Sequence, residues 1–520
     1  MIEKQRYQEL YDNLQHNGSL IYVGQLLKQA SEKWHNKSAV ICENEKISYK
    51  ELYRNSTKFA DYLKQKLPKL KTTDAIILIY ENSIEFYIAY FATWHLGAVV
   101  VPLNTFLLES EILKIIAEVE PRLIIISSKY LKKFSGIENL GIALSGQRDI
   151  ETVSSAEDST AISIAAEKNP RETVAILYTS GTTGMPKGVM LNSENIIINS
   201  IQAASRFQIT NNDVMFCPLP LFHSLPQNTC IWFNLVVGIT AIIVSKIDRQ
   251  SMIKGLENQP TVIMAIPAIY GLFCKIRTLQ FPKIRYFFSG GDILSDKIRK
   301  YFGLIYKRKI CNGYGLTETS PFISVDIDDY LKPTTNVGAP FIGIECAIRD
   351  TTMKHLTSGD TGIIWIKGKN VMQGYFKDPV STAQVIVDGW FNTGDIGFLD
   401  DSGKIVITSR EKDIIKSKGM QIFPQEIENV LLANNKITQA AVIGIHDSDG
   451  EYPIAVVESQ EHNQEALITE LFEVIKQNLA EYKTPKKILV KTQLPLTGTG
   501  KIDKKKIKLE VNELLKKNGS

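Results

Sequence analysis

Six cysteines are spread over 520 residues, and Cys42, Cys217, Cys230, Cys274, Cys311 and Cys346 form no CxxC pair and have no histidine at metal-ligand spacing. That pattern indicates neither a zinc site nor a disulfide framework, so the thiols are expected to be reduced and buried. No apolar run is long enough to span a bilayer: the longest, near 231–244, is interrupted by Asn234, Gly238 and Thr240. The opening MIEKQRYQEL lacks the basic-then-apolar order of a secretion signal. The cytoplasm is the expected compartment, with peripheral membrane contact left open. There is no internal repeat and no Gly/Ser-rich linker. A net charge of +4 is too small for nucleic-acid binding through the whole surface.

What is present is an ordinary globular composition, 44% apolar and 22% charged, in a chain long enough for two or more domains. The charge is uneven. Residues 476–520 carry 12 lysines against 4 acids, leaving the rest of the chain net negative. Such a tail suits a phosphate-bearing or acidic partner, or is simply the solvated face of short helices. Short β-branched runs, AIILIY (75–80), AVVVPL (98–103), RLIIIS (122–127) and ITAIIVS (239–245), read as buried strands. Helix-like spacing lies between several of them, at 83–96 and 109–118, which predicts an α/β architecture of helix-covered parallel sheets. From about Gly338 shorter alternating segments (342–350, 362–368, 404–409) predict a β-rich subdomain. After Arg410 the strand AAVIGI (440–445), flanked by helical stretches at 424–433 and 464–479, predicts a compact α+β unit. We place the division at 410–413: a large domain of residues 1–411 and a small one of residues 412–520.

The most informative stretch is AILYTSGTTGMPKGVML (175–191), in which an apolar strand ends in hydroxyls and glycines followed by a lysine. Polyphosphate needs hydroxyls, close approach of the main chain and a cation. Thr179, Ser180, Thr182 and Thr183 supply the first, Gly181 and Gly184 the second, and Lys187 the third. The spacing is not that of a Walker loop, and Pro186 removes a donor before the lysine. The whole string resembles the signature of adenylate-forming enzymes, the superfamily of acyl- and aryl-CoA synthetases, luciferases and peptide-synthetase adenylation domains. Further family motifs follow in order along nearly the whole chain.

The resemblance implies roles. In CNGYGLTET (311–319), Tyr314 stacks on adenine and Asn312, Gly313 and Gly315 line the nucleotide. Thr317 bonds the α-phosphate and Glu318 holds Mg²⁺, for which a hard carboxylate oxygen is suited. Asp395 and Arg410 correspond to the positions that hold the ribose. In LPLTGTGKIDKKK (494–506), Lys501 is the lysine that reaches the reacting carboxylate and the α-phosphate. In PLPLFHSLPQN (218–228) and SGGDIL (289–294), His223, Ser224, Ser289, Gly290 and Gly291 border the acyl group and adenine. Asp292 departs from the family, where a small or apolar residue is usual. Gly374 and Tyr375 of VMQGYFKDP (371–379) read as structural.

The family's reaction joins a carboxylate to ATP as acyl-AMP, then passes the acyl group to a thiol. Lys412 sits at the hinge on which the small domain turns between the two steps. The turn brings the loop Lys416, Ser417, Lys418, Gly419 to the thiol in place of Lys501; an ordinary solvated role for Lys416 and Lys418 stays beside this. His223 replaces the acidic residue that pairs an amino-acid substrate's ammonium, and the string most resembles fatty-acyl-CoA ligases. The expected cofactors are ATP, Mg²⁺ and coenzyme A. Acyl carrier protein as acceptor, an aryl acid as substrate, and a non-catalytic acyl-adenylate-binding regulator are the alternatives.

Overall fold

The computed structural model describes residues 2–16, 18–155, 168–179, 186–327, 335–417, 420–447, 450–497 and 501–518. Its parallel strands form because their runs are apolar on both faces. In Ala75–Ile79, Ile76 and Leu78 enter the main core, while Ala75, Ile77 and Ile79 enter a second core on the opposite face. Leu123–Ile126 divides in the same way. Strands covered by helices on both sides read as continuous hydrophobic runs.

This sheet has seven strands, in the order Gly374–Tyr375, Lys187–Asn192, Thr173–Thr179, Val99–Pro102, Ala75–Ile79, Leu123–Ile126 and Ala143–Gly146. The first two join antiparallel and the rest run parallel. An eight-stranded sheet has a parallel centre that includes Val214–Phe216, Val262–Ala265, Tyr286–Ser289 and Ile310–Gly315. Helix Ile84–His95 is apolar all round and buried from Phe86 to His95 in the main core, as such a helix must be. Ser83 caps it by accepting from the Phe86 amide.

A five-stranded antiparallel sheet, Ile344–Arg349 to Ile405–Arg410, is the β-rich subdomain. Beyond the short 3₁₀ turn Glu411–Asp413 lies a three-stranded sheet, Gln439–Asp447, Gly450–Glu458 and Lys487–Lys491. Helices Pro424–Ala433 and Gln464–Asn478 cover one face, and Lys504–Asn518 covers the other through Ile507 and Val511. The parallel strands Val214–Phe216, Val262–Ala265 and Tyr286–Ser289 all end on one side, and the loops leaving them converge there. That is where open α/β sheets bind ligands.

Candidate active site

Strand Thr173–Thr179 turns back as Lys187–Asn192, with Thr179 directly opposite Lys187. Ser180, Gly181, Thr182, Thr183 and Gly184 lie outside the described residues, as do Lys418 and Gly419. Lys187 Nζ stands 4.8 Å from the ring centre of Tyr375 and 4.0 Å from the Asp378 carboxylate. Tyr375 donates its hydroxyl to Glu318 Oε1 at 3.0 Å. Burial raises the Glu318 pKa above the ordinary carboxylate range, opposed by its own backbone amide and the Tyr375 hydroxyl. Spacing alone could not have revealed Tyr375 and Asp378 as partners of Lys187, because antiparallel pairing of Val189 with Tyr375 creates the contact.

Glu318 belongs to the 3₁₀ turn Thr317–Thr319, and the Thr317 hydroxyl lies 3.0 Å from that of Ser224. Ser224 opens the short helix Ser224–Gln227, and His223 precedes it. The His223 ring lies against Phe222, with centroids 4.5 Å apart. Its Nε2 is buried without a partner. Burial, with the charge of Lys501 added, lowers its pKa to about 3. Strand Tyr286–Ser289 delivers Ser289, whose hydroxyl is also buried without a partner. Gly290 and Gly291 follow. A Cβ on Gly290 would stand 3.6 Å from Leu225, and one on Gly291, at φ +78°, 3.8 Å from Ile266.

Across from these, Tyr314 donates to Asp395 Oδ2 at 2.7 Å, and Arg410 Nε meets Asp395 Oδ1 at 2.9 Å. Asp395 is buried, and the pairing lifts the Arg410 pKa above its usual value. Asn312 reaches the Asn336 carbonyl at 3.5 Å. The backbone of Gly313 passes close to Ser289, and that of Gly315 so close to the Pro321 carbonyl that a Cβ would collide with it. Lys501 is exposed as a residue, yet burial of its ammonium, with Arg410 adding to it and Asp292 opposing, lowers its pKa. Lys412 is likewise lowered, by burial and by Arg410.

Contacts and charge thus link His223 to Lys501, Lys501 to Arg410, Arg410 and Tyr314 to Asp395, Thr317 to Ser224, and Glu318 through Tyr375 to Lys187. The segment expected as a loop begins as strand Ile415–Ser417, paired with Met420–Ile422 and packed on Gly450–Glu458.

The family pattern described as "AMP-binding enzyme" matches residues 27–376, and that of the "AMP-binding enzyme C-terminal domain" matches residues 426–501. The chain belongs to the AMP-binding enzyme family. It is 30% identical over 466 residues to a 4-coumarate–CoA ligase of Humulus lupulus, covering 84% of each chain. It is 28% identical over 489 residues to a 2-succinylbenzoate–CoA ligase of Bacillus licheniformis, covering 92% of this chain and 98% of the relative. ATP-bound MatB from Rhodopseudomonas palustris superposes with a TM-score of 0.84 at 27% identity, covering 94% and 99%. A Mycobacterium tuberculosis fatty acyl CoA synthetase superposes with a TM-score of 0.75 at 27% identity, covering 94% and 98%. This family member is an AMP-forming, ATP-dependent acid–CoA ligase using Mg²⁺ and coenzyme A.

The residues fit Mg·ATP. Glu318 is a carboxylate drawn out of water, with a hard oxygen suited to Mg²⁺. Among the described residues no group of three or more His, Cys, Asp or Glu gathers at Glu318 or anywhere else, so phosphate oxygens and water would complete the coordination.

Proposed function

We propose that this ligase activates fatty acids and transfers them to coenzyme A in the cytoplasm. The observation that carries the reading is the buried ring of His223, which packs on Phe222, leaves its Nε2 without a protein partner and feels the charge of Lys501. A buried ring of this kind suits a carboxylate carried on an apolar tail, and an imidazole at this position supplies no negative charge to a substrate ammonium. That none of the six cysteines is joined in a disulfide agrees with a reducing compartment.

In the first step two anions must meet, so positioning and charge dominate over acid–base chemistry. Lys187, with Thr179, Ser180, Gly181, Thr182, Thr183 and Gly184, cradles the outer phosphates. Glu318 would hold Mg²⁺, which would supply positive charge to offset that of the phosphates. Thr317 bonds the α-phosphate. Tyr314, Asn312, Gly313, Gly315, Gly290 and Gly291 bound the adenine, while Asp395 and Arg410 take the ribose hydroxyls. Lys501 draws the acid's carboxylate oxygen to the α-phosphorus. In the second step the unit beyond residue 411 turns at Lys412, withdrawing Lys501 and admitting Lys416, Ser417, Lys418 and Gly419 with the thiol, which displaces AMP.

The test is a product screen by mass spectrometry: palmitate, octanoate, benzoate and 4-coumarate, each with ATP and either coenzyme A or acyl carrier protein. Palmitoyl- or octanoyl-CoA as the chief product is expected. Aryl thioesters or an acylated carrier protein as chief product would overturn the substrate or acceptor assignment. In the same assay Lys501→Ala should lose adenylate formation by about 10²–10³ or more while still making thioester from supplied acyl-AMP.

A further inference from the structure

Residues 372–376 join the two parts of the site that handle phosphate charge. The Met372 amide donates to the Glu318 carbonyl at 2.8 Å, the Gln373 amide to Met190 at 3.0 Å and the Phe376 amide to Gly188 at 2.7 Å. One short segment thus ties the turn carrying Glu318 to the strand that begins at Lys187. Tyr375 repeats the connection with its side chain, its hydroxyl on Glu318 Oε1 and its ring 4.8 Å from Lys187 Nζ.

The residue is held rigidly. Its amide donates to Thr382 Oγ1 at 2.8 Å. The preceding Gly374 has φ +143°, and a Cβ there would stand 2.6 Å from Thr382 Cγ2, so only glycine fits. Tyr375 is itself buried. A hydroxyl donated to a buried carboxylate favours its ionised form and fixes its plane, while leaving acceptor sites for a metal. The face of an aromatic ring attracts an ammonium without neutralising it. Asp378, the anion near Lys187, stays at 4.0 Å.

We propose that Tyr375 is a positioning residue for Mg·ATP: its hydroxyl aims Glu318 at the metal and its ring aims Lys187 at the phosphates, which fixes the spacing between the two. This rests on the roles given above to Lys187 and Glu318.

The experiment is calorimetric ATP binding to the full-length protein, with Mg²⁺ and with chelator instead, for wild type, Tyr375→Phe and Tyr375→Leu. Phenylalanine keeps the ring and removes the hydroxyl. The affinity gained from Mg²⁺ should fall about tenfold, while metal-free affinity stays within about twofold of wild type because the ring remains. Leucine removes both contacts, so metal-free affinity should also fall, by roughly threefold. An undiminished magnesium gain in Tyr375→Phe, or an equal loss with and without metal, overturns the assignment. A wild type that binds no ATP overturns the nucleotide reading itself, so the two failures are distinct. Should the leucine variant not fold, the phenylalanine variant decides alone.

Discussion

At His223 two effects act against a proton: burial strips water from the ring, and Lys501 places positive charge beside it, so the pKa falls from 6.5 to about 3. The unfolded chain takes up a proton below pH 6.5 that the folded chain refuses. Stability should therefore fall as pH drops from about 6.5 toward 3, by at most about 1.4 kcal/mol per pH unit from this group. Thermal unfolding followed between pH 7 and pH 5 should show a shallower decline for His223→Gln than for wild type. Equal slopes would contradict a buried neutral imidazole. At this scale the sequence identified Lys187, Glu318, Tyr314 and Asp395 as candidates, because each stands in a distinctive string. It did not reveal that Tyr314 and Arg410 would share the two oxygens of Asp395, or that Tyr375 would hold both Lys187 and Glu318. Those partnerships arise from pairing between strands distant in the chain.

At the scale of elements, the parallel strands were legible because both faces are buried and the chain is apolar at every position. Helix Ser193–Arg206 was not. Its buried face includes Asn195, Asn199 and Gln202, whose amides donate to main-chain carbonyls of Lys369, Phe322 and Ile342. Buried amides are tolerated only with such partners, and the partners are invisible to a periodicity argument. The antiparallel pairing of Ile415–Ser417 with Met420–Ile422 as a hairpin was likewise not legible, because the polar residues of the segment show no alternating pattern. The turn Glu411–Asp413 is the one short element between the five-stranded sheet and that hairpin. Proline at 412 would fix φ there and restrict rotation. Lys412→Pro should retain adenylate formation, measured by pyrophosphate exchange, and lose most thioester synthesis from supplied acyl-AMP. Normal thioester synthesis would contradict a hinge at this turn.

Across the whole molecule, the basic tail proves to be partly spent on internal contacts. Lys483 meets Glu426 at 2.6 Å, Lys504 meets Glu428 at 2.7 Å, and Lys491 pairs with Glu510. Lys501 is the tail lysine whose charge is felt at His223. Among the described residues no helix is long and apolar enough to cross a membrane. The two parts of the chain also touch directly: Lys297, on the helix that follows Gly290 and Gly291, donates to the Ile437 carbonyl at 2.5 Å and to that of Asn435 at 3.4 Å. The role proposed for Lys501 belongs to the first step of the reaction, in which an oxygen of the acid becomes bonded to the α-phosphorus. Turnover of ¹⁸O-carboxyl-labelled fatty acid with ATP and coenzyme A, followed by mass spectrometry of the released AMP, tests this directly. One labelled oxygen per AMP is the predicted result, and AMP without label would contradict the account.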